Sequence, residues 1–468
     1  MTLALILIST FAIIGVLISS GLSWNSYIAK GIIIGAFGGS LLTLILSWGF
    51  LPVENIGLYL IGLPIGADSI FELSGLGYIF SILTTFTMII SVLASWYLAV
   101  DTRLFYGLLV IINLCLIGAF SCTNIFLFLI FFELSALPVF ILIGYCGSAR
   151  RERLKANYYF LFFTFYGSMS LLIILLSSYS ILNTNYLLSS EILGFLAYIL
   201  LFISFAIKIP LFPFHIWLPY AHVEASTVSS IILAALLLKL GGYGLIKFLI
   251  PGFSIDVSLY YRPIILFVCL VGFVYGSLCA TRQIDLKRQI AFSSVAHMSF
   301  AIIGIYALSV IGVGGSIFLM FSHGLISSAL FFLVGTLSDR YHTRAITAFS
   351  GLLGTMPLFS GFLIVAILAN VGFPGTSGFV PELLILISVV RGLPTLVLIM
   401  LLGMVITALS NLIIPLRILF GHPRVLISKG SWADLGLLES SILGVLAILI
   451  IGFGFFNFLP PELVILNI

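Results

Sequence analysis

The sequence predicts an all-α polytopic membrane protein with about fourteen transmembrane helices. Three observations carry this. Of the 468 residues, 62% are hydrophobic and only 7% are charged, where a soluble domain carries about 25% charged residues. The apolar residues come in runs close to the ~20 that an α-helix needs to cross the hydrocarbon core. Strand-like alternation of polar and apolar residues is absent, which excludes an outer-membrane barrel with a polar lumen. Helices then remain as the elements that satisfy their own backbone groups in lipid.

The apolar runs lie near 2–21, 29–50, 75–99, 104–120, 123–145, 156–179, 191–210, 226–249, 263–281, 286–307, 311–337, 352–371 (continuing past a break to about 390), 394–416 and 437–458. The first run lacks the basic flank and small-residue cleavage site of a secretory signal, and the Arg-rich pattern of a transit peptide. It is expected to be a membrane helix of the mature chain. The placement of positive charge supports the span count, because Lys and Arg in short loops gather on one face. Loops that follow odd spans hold Lys30, Arg103, Arg150, Arg151, Arg153, Lys155, Arg282, Lys287, Arg288, Arg340, Arg344, Arg417, Arg424 and Lys429. Loops that follow even spans hold only Arg262 and Arg391, with Lys247 near that end of its helix. The basic face is therefore expected on the matrix or cytoplasmic side, with both termini opposite. The stretch from Glu54 to Glu72, which has no Lys or Arg, falls on the opposite side.

Two spans are interrupted. In the seventh, Lys208 is followed by IPLFPF with Pro210 and Pro213; in the twelfth, NVGFPGTSGFVPELL carries Gly372, Pro374, Gly375, Gly378 and Pro381 before Glu382. Proline removes a backbone donor and crowds the preceding turn. Interrupted helices at matching places in two halves point to an inverted-repeat transporter. The breaks are five spans apart, and an odd offset turns one copy upside down. The expected organisation is 1–100 as N-terminal helices (spans 1–3), 101–250 as a first five-helix unit (spans 4–8), 251–420 as a second, inverted unit (spans 9–13), and 421–468 as a C-terminal loop and last helix.

Six ionisable residues sit deep in apolar runs: Glu133, Lys208, Lys239, His297, His323 and Glu382. A charge at mid-depth costs several kcal/mol, roughly 3 or more, so six call for a function, and moving ions or protons is the commonest. Glu133 and Lys208 are each central and isolated in their spans, and they are expected to pair. Lys239 is apolar-flanked for several turns, which suits snorkelling poorly; Lys247, near a helix end, suits it well. Imidazole titrates nearest neutral pH, so His297 and His323 are candidate proton relays. Ser322, Gly324, Ser327 and Ser328 around His323 suggest a local helix distortion. Glu382 follows the second break.

HIWLPYAHVEAS holds His215, His222 and Glu224. The two histidines are seven apart with Pro219 between them, and no HExxH is present. The segment reads as a structured loop that admits water to the channel, rather than as a metal site. Cys115, Cys122, Cys146, Cys269 and Cys279 form no CxxC pair and read as small core residues. GVGGS (312–316) lies inside an apolar run. No P-loop, haem-spaced histidine pair or iron–sulfur cysteine set is found. The chain is expected to move protons without handling electrons.

Several longer stretches are recognisable together: FELSALP (132–138), KIPLFPFHIWLPYAHVEASTVSSIILAALLLKLGGYGLIKF (208–248), RQIDLKRQIAFSSVAHMSF (282–300), SHGLISSALFFLVGTLSDRYHTR (322–344) and GFPGTSGFVPELLIL (372–386). They closely resemble the chain 4 family of NADH:ubiquinone oxidoreductase (respiratory complex I) and its bacterial counterpart, over about 100–420. The resemblance implies an antiporter-like, proton-translocating membrane-arm subunit. In that family pattern Glu133 and Lys208 form the input pair, Lys239 is the central relay, His297 and His323 carry the connection onward, and Glu382 is the exit-side group. Ser226 departs from it, since the family usually has Pro after HVEA. The resemblance also implies that NADH, FMN, iron–sulfur clusters and ubiquinone belong to partner subunits. This chain would hold no cofactor or metal. Its partners would be other membrane-arm subunits, including neighbouring antiporter-like ones, and lipids, but no nucleic acid. The implied location is the mitochondrial inner membrane with basic loops on the matrix side; a bacterial plasma membrane is the alternative. A Mrp-type cation/proton antiporter, or a membrane-bound hydrogenase subunit of the same fold, is the competing class. HVEA and LLKLGGYG favour the first reading.

Overall fold

A computed structural model describes residues 27–48, 71–96, 102–147, 152–182, 191–422 and 433–455. These residues form helices and short connections, and the only β-pairing among them is two isolated bridges. In chain order the helices are α1 (Tyr27–Trp48), α2 (Gly75–Ala94), α3 (Thr102–Ser121), α4 (Ile125–Cys146), α5 (Glu152–Leu182), α6 (Glu191–Lys208), α7 (Trp217–Glu224) and α8 (Thr227–Gly252). There follow α9 (Ile255–Thr281), α10 (Leu286–Ile305), α11 (Val310–Tyr341), α12 (Pro357–Val371), α13 (Phe379–Gly392), α14 (Pro394–Leu419) and α15 (Leu437–Phe455). The expected spans from the second onward overlap these helices, the interrupted twelfth taking both α12 and α13; the first lies outside the described residues. Among the described residues, nine helices are long and apolar enough to cross a membrane.

Helix starts follow local chemistry. Ser74, Asn124, Asp285 and Ser309 each accept a backbone N–H of the first turn with the side chain, which satisfies a donor that the helix itself cannot. Ser226 does the same for α8, accepting from Ser229 N at 3.2 Å. A serine cap thus opens the eighth span where the family usually places proline.

The chain folds as two compact units: residues 1–217 with 236–265, and residues 218–235 with 266–468. In the first, α2–α6 pack successively and α6 lies against the second half of α8. In the second, α11 is the hub, touching α10, α12, α13, α15 and the first half of α8. The most apolar stretches of α8 and α11 are 94% buried, whereas those of α14 and α15 are 29% and 22% buried. The helices that carry Lys239 and His323 are therefore shielded by apolar neighbours.

Two expectations need correction. The serines around His323 do not distort their helix, because α11 runs unbroken. Ser327 and Ser328 donate to the Gly324 carbonyl at 3.2 and 2.7 Å, so their hydroxyls are satisfied within the helix. Lys247 does not snorkel. It is buried, and its ammonium donates to the Cys122 carbonyl at 2.6 Å and to the Tyr243 hydroxyl at 2.7 Å. A carbonyl from the α3–α4 turn replaces the water that a helix-end lysine would otherwise seek. Of the cysteines, Cys115, Cys122 and Cys269 are buried, and Cys146 and Cys279 are half-buried.

Candidate functional site

In the first unit, α6 ends where the proline-rich segment begins. Its last carbonyls are taken up by the break itself: Ile209 N donates to Phe205 O at 2.9 Å, Leu211 N to Ala206 O at 2.9 Å, and Trp217 Nε1 to Ile207 O at 3.0 Å. Lys208 is thereby fixed at a helix C-terminus, where the backbone dipole favours a cation. It is 1% exposed. Its ammonium donates to Phe132 O at 3.4 Å and lies 4.2 Å from the centre of the Phe132 ring. Glu133, the next residue on α4, is the acidic group whose field reaches Lys208. Its Oε1 is buried without a hydrogen-bond partner.

Lys239 is fully buried. It lies on a seven-residue α-helical stretch, Leu238–Gly244, between two π-helical stretches, Leu233–Leu237 and Leu245–Leu249. Wide turns of this kind are rare and gather at functional sites. Gly241 and Gly244 explain the close approach to α6. A Cβ at Gly241 would meet Phe205 O at 2.8 Å, and one at Gly244 would overlap the Phe205 ring.

In the second unit, three of the expected residues converge. The rings of His297 (α10) and His323 (α11) are 5.8 Å apart, and His297 Nδ1 is 3.7 Å from Glu382 Oε1. All three are buried. Glu382 is in the first turn of α13, at the end of a helix dipole that favours an anion, the mirror image of Lys208 at its helix end. The break before it is tightly folded. Gly372 closes α12 in the left-handed region (φ 76°), and a Cβ there would overlap Glu382 Oε2. A larger side chain there would make that carboxyl shift.

The three residues of the HIWLPYAHVEAS loop divide between the units. His215, in the first, stacks on Phe212 with ring centres 5.9 Å apart, and burial pushes its imidazole below the ordinary histidine range. His222, in the second, stacks on Phe331 of α11 at 4.5 Å. Glu224 is held by a group that the sequence reading passed over. The guanidinium of Arg344 hydrogen-bonds to Val223 O, lies 4.0 Å from Glu224 Oε1, and lies 3.6 Å from Asp285 Oδ2. Lys287 donates to Ala225 O at 2.8 Å. Two cations thus grip the end of α7. In sequence both look like ordinary loop charges, and only the fold brings Arg344 to Asp285. Among the described residues, no group of three or more His, Cys, Asp or Glu side chains is arranged to hold a metal ion.

A helical membrane protein with buried acid–base groups beside two broken helices is the class defined so far. Comparison with known proteins narrows it. Residues 122–409 match the family described as NADH:quinone oxidoreductase/Mrp antiporter, transmembrane. The chain belongs to that family. It is 43% identical over 392 residues to NADH-ubiquinone oxidoreductase chain 4 of Chondrus crispus, covering 82% of this chain and 79% of the relative. Its fold matches a chain of respiratory complex I from Thermus thermophilus with bound NADH (TM-score 0.81, 25% identity, 98% of this chain and 97% of that one). It also matches a chain of the Mrp complex from Dietzia sp. DQ12-45-1b (TM-score 0.82, 19% identity, 99% and 96%), a likeness of fold alone.

Proposed function

We propose that the chain is a proton-translocating membrane-arm subunit of NADH:ubiquinone oxidoreductase, moving protons through buried Glu, Lys and His side chains and water. The observation that carries this is the buried series His323, His297 and Glu382, with ring centres at 5.8 Å and an imidazole–carboxyl separation of 3.7 Å. An imidazole accepts a proton on one nitrogen and releases one from the other. His297 can therefore take a proton from His323 across one bridging water and hand it to Glu382. In the first unit, the Phe132 carbonyl holds the Lys208 ammonium, and the Glu133 carboxyl acts on it through its field. Movement of that carboxyl loosens the hold and frees the proton for Lys239. His215, His222 and Glu224 serve as channel-entry groups. The two five-helix units are inverted copies, a reading supported by the matched breaks and their mirrored helix-end charges. The redox cofactors NADH, FMN, iron–sulfur clusters and ubiquinone reside in partner subunits, whose chemistry drives the relay. The location is the mitochondrial inner membrane, with the basic loops facing the matrix.

A Mrp-type antiporter is the less favoured reading, because identity to the Mrp chain is 19% against 43% to the chain 4 relative. Mild solubilisation separates the two. Migration with a large NADH-oxidising assembly supports the complex I role, and migration as a small particle without NADH activity overturns it. For the path itself, Lys208→Ala and Glu133→Ala are expected to abolish this chain's share of proton pumping while the complex still assembles. Normal pumping in both variants would remove these residues from the path.

A further inference from the structure

Beyond Lys239 on α8, polar residues continue at a spacing of four: Tyr243, then Lys247. Residues four apart share a helix face, and the wider π-helical turn that begins at Leu245 keeps the Lys247 ammonium on Tyr243. Eight residues at 1.5 Å each put Lys247 about 12 Å from Lys239 along the axis. The direction is toward the α3–α4 turn, the end of the fold opposite the basic loops. All three residues are buried, and all belong to the first unit. A column of this kind carries protons only if its groups can both accept and release them. The Tyr243 hydroxyl donates its one hydrogen to Phe120 O at 2.7 Å, and its oxygen accepts from the Lys247 ammonium at 2.7 Å. Ser74 is the other polar side chain that reaches it. The ammonium, whose second bond goes to Cys122 O at 2.6 Å, has no lone pair with which to accept a proton. The rings of Phe80, Phe120 and Phe128 stand 6.2, 5.1 and 6.0 Å from the Tyr243 ring and give the hydroxyl an apolar surround.

We propose that Lys247, held by Tyr243 and Cys122, is a directional stop: a fixed positive charge that keeps a proton on Lys239 from crossing to the face opposite the basic loops, so that it passes along the relay instead. The stop rests on the relay reading of Lys239. Two unit charges about 12 Å apart at an effective dielectric of about 20 repel enough to change an equilibrium about tenfold, and the repulsion grows as a proton nears Lys247. Glu72, whose backbone N–H is bonded to Ser121 O at 2.7 Å, is the acidic group whose field reaches the ammonium. Lys247 is thus a specificity residue for the direction of transfer, and it carries no proton itself.

The test uses the intact complex in sealed vesicles without NADH. An imposed pH difference drives protons across, and a trapped pH-sensitive dye reads their passage. Lys247→Gln keeps a hydrogen-bond donor and removes the charge, whereas Lys247→Arg keeps both. Lys247→Gln is expected to raise proton passage about tenfold, and Lys247→Arg to leave it near the parent level. Adding Lys239→Ala to Lys247→Gln is expected to restore the parent level, because the passage begins at Lys239; loosened packing would leak with or without that lysine. Unaltered passage in assembled Lys247→Gln, or passage that persists in the double variant, overturns the stop. In either event, normal pumping in Lys208→Ala and Glu133→Ala means that the relay reading falls as well; if those variants abolish pumping, only the stop falls. Should Lys247→Gln fail to assemble, a map of the unaltered complex decides the matter. Water ordered from Lys239 past Tyr243 to the opposite face overturns the stop, and a dry aromatic cluster around Tyr243 supports it.

Discussion

Gly372→Ala probes the contact on which the second-unit relay depends. Gly372 has φ 76°, a left-handed conformation that costs an alanine roughly 1–2 kcal/mol. The added Cβ also overlaps Glu382 Oε2. Restoring an ordinary contact of about 3.5 Å makes the carboxyl retreat by about 1 Å. That carboxyl is 3.7 Å from His297 Nδ1, already at the long end of pairing distance. A displacement of about 1 Å can slow a positioned transfer by about 100-fold, whereas the backbone strain alone is too small to prevent assembly. Gly375→Ala is the control. Gly375 has φ 88° and carries similar strain, but its Cβ would meet only the Phe455 ring, at an ordinary 3.4 Å. Complex carrying each variant is reconstituted in vesicles, with NADH oxidation followed by absorbance and proton uptake by a pH-sensitive dye. Gly372→Ala is expected to lose this chain's share of the proton yield while Gly375→Ala keeps it. Equal yields in the two would refute the argument that the carboxyl's position matters.

Two further perturbations follow from the cationic anchors. Arg344→Met leaves Glu224 and Asp285 without their shared counter-charge, at a cost of about 3 kcal/mol; the complex should inactivate at a lower temperature, with part of the loss recovered by Arg344→Lys, and an unchanged midpoint would show that the guanidinium is not an anchor. Lys247→Met removes two hydrogen bonds from the α3–α4 turn and Tyr243, costing about 1–3 kcal/mol. Lys247→Arg keeps a donor and should stay near the parent midpoint, a pattern that snorkelling into water would not produce.

The contrast between these anchors and the relay residues indicates what a sequence reveals about such a protein. Glu133, Lys208, Lys239, His297, His323 and Glu382 stand out because each is polar within a long apolar run, a one-dimensional signal. The breaks after Lys208 and before Glu382 stand out for the same reason, through Pro210, Pro213, Gly372 and Pro374. Arg344 and Lys287 did not, because their partners Val223 and Ala225 lie 121 and 62 residues away in the chain, and a charge in a basic loop is indistinguishable from solvated charge until the fold brings a carbonyl to it. Lys247 was misread on the same account: proximity to a helix end predicts water, and a buried Cys122 carbonyl stood there instead. The π-helical stretches around Lys239 have no compositional signature. They accompany the contact of Gly241 and Gly244 with Phe205, a tertiary cause.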